Sequence, residues 1–225
     1  DDFYWNEYSS HYQGELDGDE KIYSLIINKG DFLFDNNKLK KVNPNILPIH
    51  PNAHLLIETI FLLNPYSIRE IGVGGGDYLN NIFVMMPETI LYGVDVSEDQ
   101  LEFLAKRHPH LKNFTSKIDI VNNTKNLEKV ELSYTQAVIM HIGERDNRHL
   151  KALENLINST LDTVLLSENW LKHNFLDDIN FLFNKGVLNW KNINFYFKSN
   201  EENPDVKLMI ISNKELPLER LENYQ

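Results

Sequence analysis

Three glycines at alternate positions, Gly72, Gly74 and Gly76, directly follow the apolar run at 66–71. An acid, Asp95, closes a second apolar run, ILYGVD, about twenty residues later. Glycine lets a backbone turn tightly and come close to a ligand that any Cβ would push away. An acid that ends a buried strand needs a polar partner, and ribose hydroxyls supply one. Strand, glycine turn, helix, strand and carboxylate make the first half of a nucleoside-binding α/β domain. The turn itself restricts which nucleoside. A dinucleotide fingerprint, G-x-G-x-x-G/A, read from Gly72 and Gly74 needs a small residue at 77, where Asp77 stands; read from Gly74 and Gly76 it needs one at 79, which is Leu79. No Gly-Lys-Ser/Thr follows the turn, so a P-loop fails as well.

The elements that must position these residues read as alternating strands and helices. Pro48 and Pro51 precede NAHLLIETIFLLN, whose apolar spacing predicts a helix stopped by Asn64-Pro65. Strand SIREIG, the glycine turn and a helix to about Met86 follow, then strand ILYGVD and a helix capped by Ser97, with Glu98 and Asp99 favourable in its first turn. Beyond His108-Pro109 the pattern predicts strand NFTSKIDIV, strand VELSYT, a long helix over 145–159, strand DTVLLSE and a helix at 175–184 ending at Gly186. WKNINFYFKS and DVKLMIIS are joined by NEENP, too short for a helical crossover, so they predict an antiparallel hairpin. Five βα units closed by a hairpin imply a mostly parallel sheet with one reversed strand near an edge and helices on both faces. Residues 1–48 differ in kind: aromatic, acidic and broken by Gly14 and Gly18, they read either as a strap or lid over the domain at 49–225 or as a surface-packed extension.

What does fit the turn is E-x-G-x-G-x-G, from Glu70 to Gly76, and with it the chain resembles the class I S-adenosylmethionine-dependent methyltransferases. The resemblance covers roughly residues 50–212 and includes the acid in YGVDVS, Asp119 in KIDIV, the segment VELSYTQAVIMHIG and the terminal hairpin. It implies a seven-stranded, mostly parallel Rossmann-like sheet whose seventh strand runs antiparallel, and S-adenosyl-L-methionine as cofactor. It further implies that the backbone at Gly72 and Gly74 approaches the methionine part, that Glu70 organises the loop and the ammonium, and that Asp95 accepts from the ribose hydroxyls. Val96 then packs on the adenine, Asp119 and the Ile120 amide reach its edge, and the backbone of Thr135 or Gln136 contacts the ammonium. Asp119 has a plainer alternative, capping the next segment. The sequence departs from the family at strand four, where Val130-Glu131 stands in place of a Phe-Asp pair.

A sulfonium methyl is already activated, so a hydroxyl or amine acceptor calls for alignment and for a base of moderate pKa. His141, after strand four, is the preferred base and His173, after strand five, the second candidate. In HIGERDNRH, a helix would put His141, Arg145, Arg148 and His149 near one face, where the arginines grip a phosphate or carboxylate; otherwise the arginines pair with Glu144 and Asp146 on a solvated helix start. Glu168, Asn169 and Trp170 offer an acceptor, an amide and an aromatic wall for a sugar-like ligand, with Trp170 equally suited to the core. Tyr4, Trp5, Tyr8 and Tyr12 either line the pocket as a lid or pack on the first helix.

The composition sets bounds. A chain of 225 residues with 42% hydrophobic content supports one large domain. The absence of cysteine removes disulfides, thiolate metal sites and a cysteine nucleophile. A net charge of −11 argues against nucleic acid as the main partner. No acidic cluster has diagnostic metal-ligand spacing, and no apolar run reaches membrane-span length. With no signal-peptide pattern read at the N-terminus, a cytoplasmic location is expected, and abundant Asn, Lys and Ile suggest an AT-rich bacterial genome. VIMHIG and LLSENW are similar to segments of methyltransferases of capsule and O-antigen pathways. The expectation is an enzyme that O-methylates a sugar, nucleotide-linked sugar or phosphorylated precursor, with a homodimer as the assembly considered. Alternatives are an N-methyltransferase of a small amine, a non-catalytic cofactor-binding partner subunit, and a dehydrogenase with a degenerate loop.

Overall fold

The structure is a computed structural model and describes residues 22–122, 127–143, 145–200 and 207–222. Tyr4, Trp5, Tyr8 and Tyr12 lie outside the described residues.

The described part of the N-terminal extension contains a hairpin that the sequence reading did not anticipate, β1 (Phe32–Asp35) and β2 (Lys38–Lys41). Its turn is Asn36-Asn37, both left-handed at φ 50° and 63°, the conformation a two-residue hairpin turn requires. Phe32 and Leu39 pack with Ile27 against Ile49, Ala53 and Ile57. Side chains of the domain fasten the extension to it. Glu58 accepts from the Leu39 amide at 2.8 Å, and Asn81 both accepts from the Ile27 amide and donates to the Leu25 carbonyl.

Helix α1 (Pro51–Leu63) starts with proline in its first turn and ends at Asn64, whose left-handed φ of 45° lets its N–H reach the Ile60 and Phe61 carbonyls. There follow β3 (Ser67–Ile71), α2 (Asp77–Met85), β4 (Ile90–Asp95), α3 (Glu98–Arg107), β5 (Thr115–Lys117), β6 (Val130–Gln136), α4 (Arg148–Asn158), β7 (Thr160–Ser167), α5 (Phe175–Asn184), β8 (Asn194–Ser199) and β9 (Lys207–Ser212). The seven-stranded sheet has the order β5-β4-β3-β6-β7-β9-β8, with β9 alone reversed. This is the expected mostly parallel sheet with a C-terminal antiparallel hairpin. Strand order reverses beside β3, which pairs with β4 on one side and β6 on the other, so a crevice opens where these strands end.

The sheet is buried on both faces. Val164, Leu166, Met209 and Ile211 face one core with Leu153, Leu156 and Phe175. The alternate residues Leu165 and Ile210 face the other, with Leu56, Ile60 and Leu79. At the β8 edge the chain returns as a cover: Phe197 donates to the Glu219 carbonyl, Leu221 to that of Phe195, and the Leu216 amide to the Tyr196 hydroxyl.

Two expected elements are shorter than their sequence patterns. Only Thr115–Lys117 of NFTSKIDIV pairs as a strand, because Pro109–Phe114 forms a 3₁₀ turn and Asp119 folds the chain back on itself. The helix expected over 145–159 begins at Arg148, since Asp146 and Asn147 are left-handed at φ 56° and 57°. HIGERDNRH is therefore not one helix, and its residues share no helical face.

Arg69 of β3 is a fully buried cation held by neutral oxygens. Its guanidinium donates to the Glu128 carbonyl at 2.6 Å, the Ser133 hydroxyl at 3.0 Å, and the Ser159 carbonyl and hydroxyl at 3.0 and 2.7 Å. Burial lowers its pKa to about 10, which still leaves it charged at neutral pH. It thereby joins β3 to the start of β6 and the end of α4. Arg69→Met preserves volume but leaves buried carbonyls without donors. It should destabilise the protein by about 2–4 kcal/mol in urea unfolding; an unshifted midpoint would show that these bonds contribute nothing.

Candidate functional site

The crevice at the ends of β3, β4 and β6 holds a cavity of about 300 Å³. Its floor is the turn at 72–76. The Gly72 and Val73 amides both donate to the Val94 carbonyl, at 2.7 and 3.1 Å, and the Gly76 amide donates to the Val73 carbonyl. Gly72 and Gly76 are left-handed at φ 74° and 82°, and neither has room for a side chain. A Cβ at Gly72 would lie 2.4 Å from Val138, and one at Gly76 would lie 2.7 Å from Leu104.

Four carboxyl groups surround this floor: Glu70, Asp77, Asp95 and Asp119. Asp95 accepts from the Gly74 amide at 3.0 Å and the Ser97 amide at 2.9 Å, tying the glycine turn to the start of α3. Burial raises its pKa, while those amides and that of Val96 act against the rise. Glu70 accepts the Tyr134 hydroxyl at 2.8 Å. Burial drives it well above the ordinary carboxylate range; the Tyr134 bond opposes that and the Asp95 and Asp77 charges add to it. A cation placed beside Glu70 would draw it back to the carboxylate form. Asp77, buried at the start of α2, is bonded by Arg107 and, at 2.8 Å, by His108. The helix N-terminus where a pyrophosphate would sit thus already carries an acid of the chain itself.

The remaining wall is largely apolar, with Val96, Ile118, Ile120, Val121, Val138 and Ile142. Val96 stands out as a 46% exposed aliphatic residue beside Asp95, which suits a flat ring. Asp119 accepts from the Val121 amide at 2.8 Å and from the Asn122 side chain at 2.7 Å, so the capping role is present beside any contact it makes across the cavity. Gln136 lines the cavity; Thr135 is buried behind it.

The loop after β6 is shaped by Glu168. Ala137 is left-handed at φ 51°, and the amides of Val138, Ile139 and Met140 all converge on the Glu168 carboxylate at 3.0–3.2 Å. Burial raises the Glu168 pKa and these amides oppose it. Its carboxyl oxygens are taken up by the loop, a role the sequence does not reveal because the amides lie some thirty positions upstream. The loop ends in a 3₁₀ turn, Ile139–His141, that sets His141 on the cavity wall. Arg148 lines the same cavity, while the side chain of Arg145 lies outside the described residues.

His173 is placed elsewhere than at the cavity. Its ring is buried, stacked on His149 at 4.6 Å, with Nε2 3.0 Å from the Ile142 carbonyl. It braces the loop instead of reaching into the crevice. Trp170 sits in the core beside Phe175 and Ile179, the plainer of its two readings. Asn169 accepts from the Leu171 amide and lines a second cavity next to Glu168.

Sequence reasoning passed over Tyr78 and Gln100, which also line the first cavity. Gln100 had a signal: Ser97-x-x-Gln100 is a capping box, and Ser97 accepts from the Gln100 amide. Burial, then the Glu70 and Asp77 charges, push the Tyr78 phenol upward.

His141 is half-buried, and burial followed by the charge of Lys172 lowers its pKa, so its imidazole is neutral and can accept a proton at physiological pH. Titration by NMR should give a His141 pKa below 6.5, rising in Lys172→Ala as the neighbouring positive charge is removed. A wild-type value above 6.5, or no upward movement in the variant, would contradict this arrangement.

No protein-family model matches the sequence, and no curated protein matches it. Solved structures do. The methyltransferase domain of a bacterial CtHen1 superposes with a TM-score of 0.53 at 16% identity, over 72% of this chain and 97% of that one. The plantazolicin methyltransferase BpumL in complex with SAH gives 0.52 at 14%, over 73% and 82%. The N-methyltransferase NodS of Bradyrhizobium japonicum WM9 in complex with S-adenosyl-L-homocysteine gives 0.52 at 13%, over 72% and 86%. These likenesses show the fold: a seven-stranded Rossmann-like sheet of the kind found in methyltransferases.

Proposed function

We propose that the protein is an S-adenosyl-L-methionine-dependent methyltransferase. The observation that carries the reading is a nucleoside-sized crevice rich in carboxyl groups in which Asp77 fills the phosphate seat of a dinucleotide fold. Such a site suits a nucleoside bearing cations, a sulfonium and an ammonium, and offers a pyrophosphate a helix N-terminus already taken by a side-chain carboxylate. The bound states of BpumL and NodS support the same choice. When bound, the cofactor supplies a methyl group already activated as a sulfonium.

The chain's own residues then divide the work. The backbone at Gly72 and Gly74, with Glu70 and the Gln136 backbone, holds the methionine end. Asp95 accepts from the ribose hydroxyls with the lone pairs its two amide bonds leave over. Val96 covers the adenine, and Asp119 with the Ile120 amide borders it. His141 takes the proton from a hydroxyl acceptor, and the low pKa imposed by burial and Lys172 keeps it neutral for that task. The acceptor is a small polar metabolite. A sugar, nucleotide-linked sugar or phosphorylated precursor in bacterial surface-glycan synthesis is the reading we favour, on the strength of the VIMHIG and LLSENW segments.

Calorimetry with S-adenosylhomocysteine and with NAD decides between the cofactor classes, with binding expected for the first alone. Asp95→Ala should weaken S-adenosylhomocysteine binding by roughly 1–3 kcal/mol. In the wild type, affinity should fall as pH drops through the raised Asp95 pKa, since only the carboxylate accepts both ribose hydroxyls; unchanged affinity in the variant would refute the ribose assignment. His141→Ala should keep nucleoside affinity within about twofold while abolishing transfer of labelled methyl to small-molecule extracts. A fully active variant would end its role as base.

A further inference from the structure

A second cavity, of about 240 Å³, lies against the first and shares Gln136 and Ala137 with it. Its lining has a different chemistry. Asn52 comes from the first turn of α1, Gln136 and Ser167 from the ends of β6 and β7, Asn169 from just beyond β7, and Lys207 from the start of β9. They meet because β9 is reversed: Leu166 pairs with Met209, so two residues after Leu166 and two before Met209 bring Glu168 level with Lys207.

Among the described residues, the Asn52, Gln136 and Ser167 side chains make no hydrogen bond and Lys207 no ion pair. The one acid on the wall, Glu168, is buried and has its carboxylate occupied by the Val138, Ile139 and Met140 amides. Among the described residues, two carboxamides, a hydroxyl, one more amide at Asn169 and the Lys207 ammonium therefore line a space whose one acid, Glu168, is already bonded by backbone amides. The first cavity, with four carboxyls, has the opposite character.

Resting on the methyl-transfer reading, we propose that this second cavity seats the acceptor and selects a polyhydroxylated anion, a sugar phosphate or sugar acid, through Lys207. The amides and the Ser167 hydroxyl engage the ring hydroxyls, and the ammonium engages the anionic group. Ala137, small and left-handed between the two cavities, leaves an acceptor oxygen a way toward His141. The Lys207 contact is separate from Arg148, which lines only the first cavity.

The test is titration of the protein saturated with S-adenosylhomocysteine by glucose, glucose 1-phosphate, glucose 6-phosphate and glucuronate, followed by NMR. At least one anionic sugar should bind tenfold or more tightly than glucose. Lys207→Glu should erase that preference, with Lys207→Met intermediate, while S-adenosylhomocysteine affinity reports that both variants are folded. Asn52→Leu should weaken neutral and anionic sugars alike. If no anionic sugar outbinds glucose, or the preference survives Lys207→Glu, the proposal is overturned. Failure of S-adenosylhomocysteine itself to bind the wild type would instead overturn the methyl-transfer reading on which it rests.

Discussion

One carboxylate holds the crevice in shape. Asp95 ends β4 and accepts from Gly74 on one side and Ser97 on the other, so the glycine turn and the first turn of α3 are hung from a single side chain. The neighbouring Val94 carbonyl receives Gly72 and Val73. The turn is thus fixed to β4 as firmly as to its own strand. It also packs tightly under Val138 and Leu104, where Gly72 and Gly76 leave no room for a Cβ. Preorganisation of this kind lets a cavity of glycine backbone and buried acids persist without collapsing onto itself.

A second carboxylate plays the matching part on the far wall. Glu168 gathers three successive amides and so fixes the bend that carries His141. His173 and His149, stacked behind that bend, keep it from folding outward. The loops on both sides of the crevice are therefore shaped by side chains from adjacent strands. Buried polar groups are costly unless bonded, and here the cost is met by backbone amides that would otherwise lack partners at the ends of strands.

What could be read in the sequence was whatever depends on near neighbours. The stop of α1 at Asn64-Pro65, the Ser97 cap, the glycine turn and the terminal hairpin are all local in origin, and each stands where its residues predict. Glu70, Gly72, Gly74, Gly76, Asp95, Val96, Asp119, Ile120, Gln136, His141 and Arg148 line one cavity because the strand order brings strand ends together. What escaped the sequence depends on distant partners. Asp77 meets Arg107 and His108 thirty positions away, Glu168 meets a loop as far upstream, and His173 finds His149 across two elements. The late start of α4 has a local cause: Asp146-Asn147 is a pair that tolerates left-handed backbone, and it interrupts the helix. The β1–β2 hairpin escaped because KLKK offers a single apolar residue to mark its face.

The segment that returns along β8 has a consequence for how copies of this molecule behave in a crowd. An open sheet ends in rows of unpaired amides and carbonyls that can recruit a neighbour's strand. Here the Phe195 carbonyl and the Phe197 amide are already occupied by Leu221 and Glu219, and the opposite margin is a strand only three residues long. Neither margin presents a long, bare template, so the architecture guards against strand-by-strand aggregation.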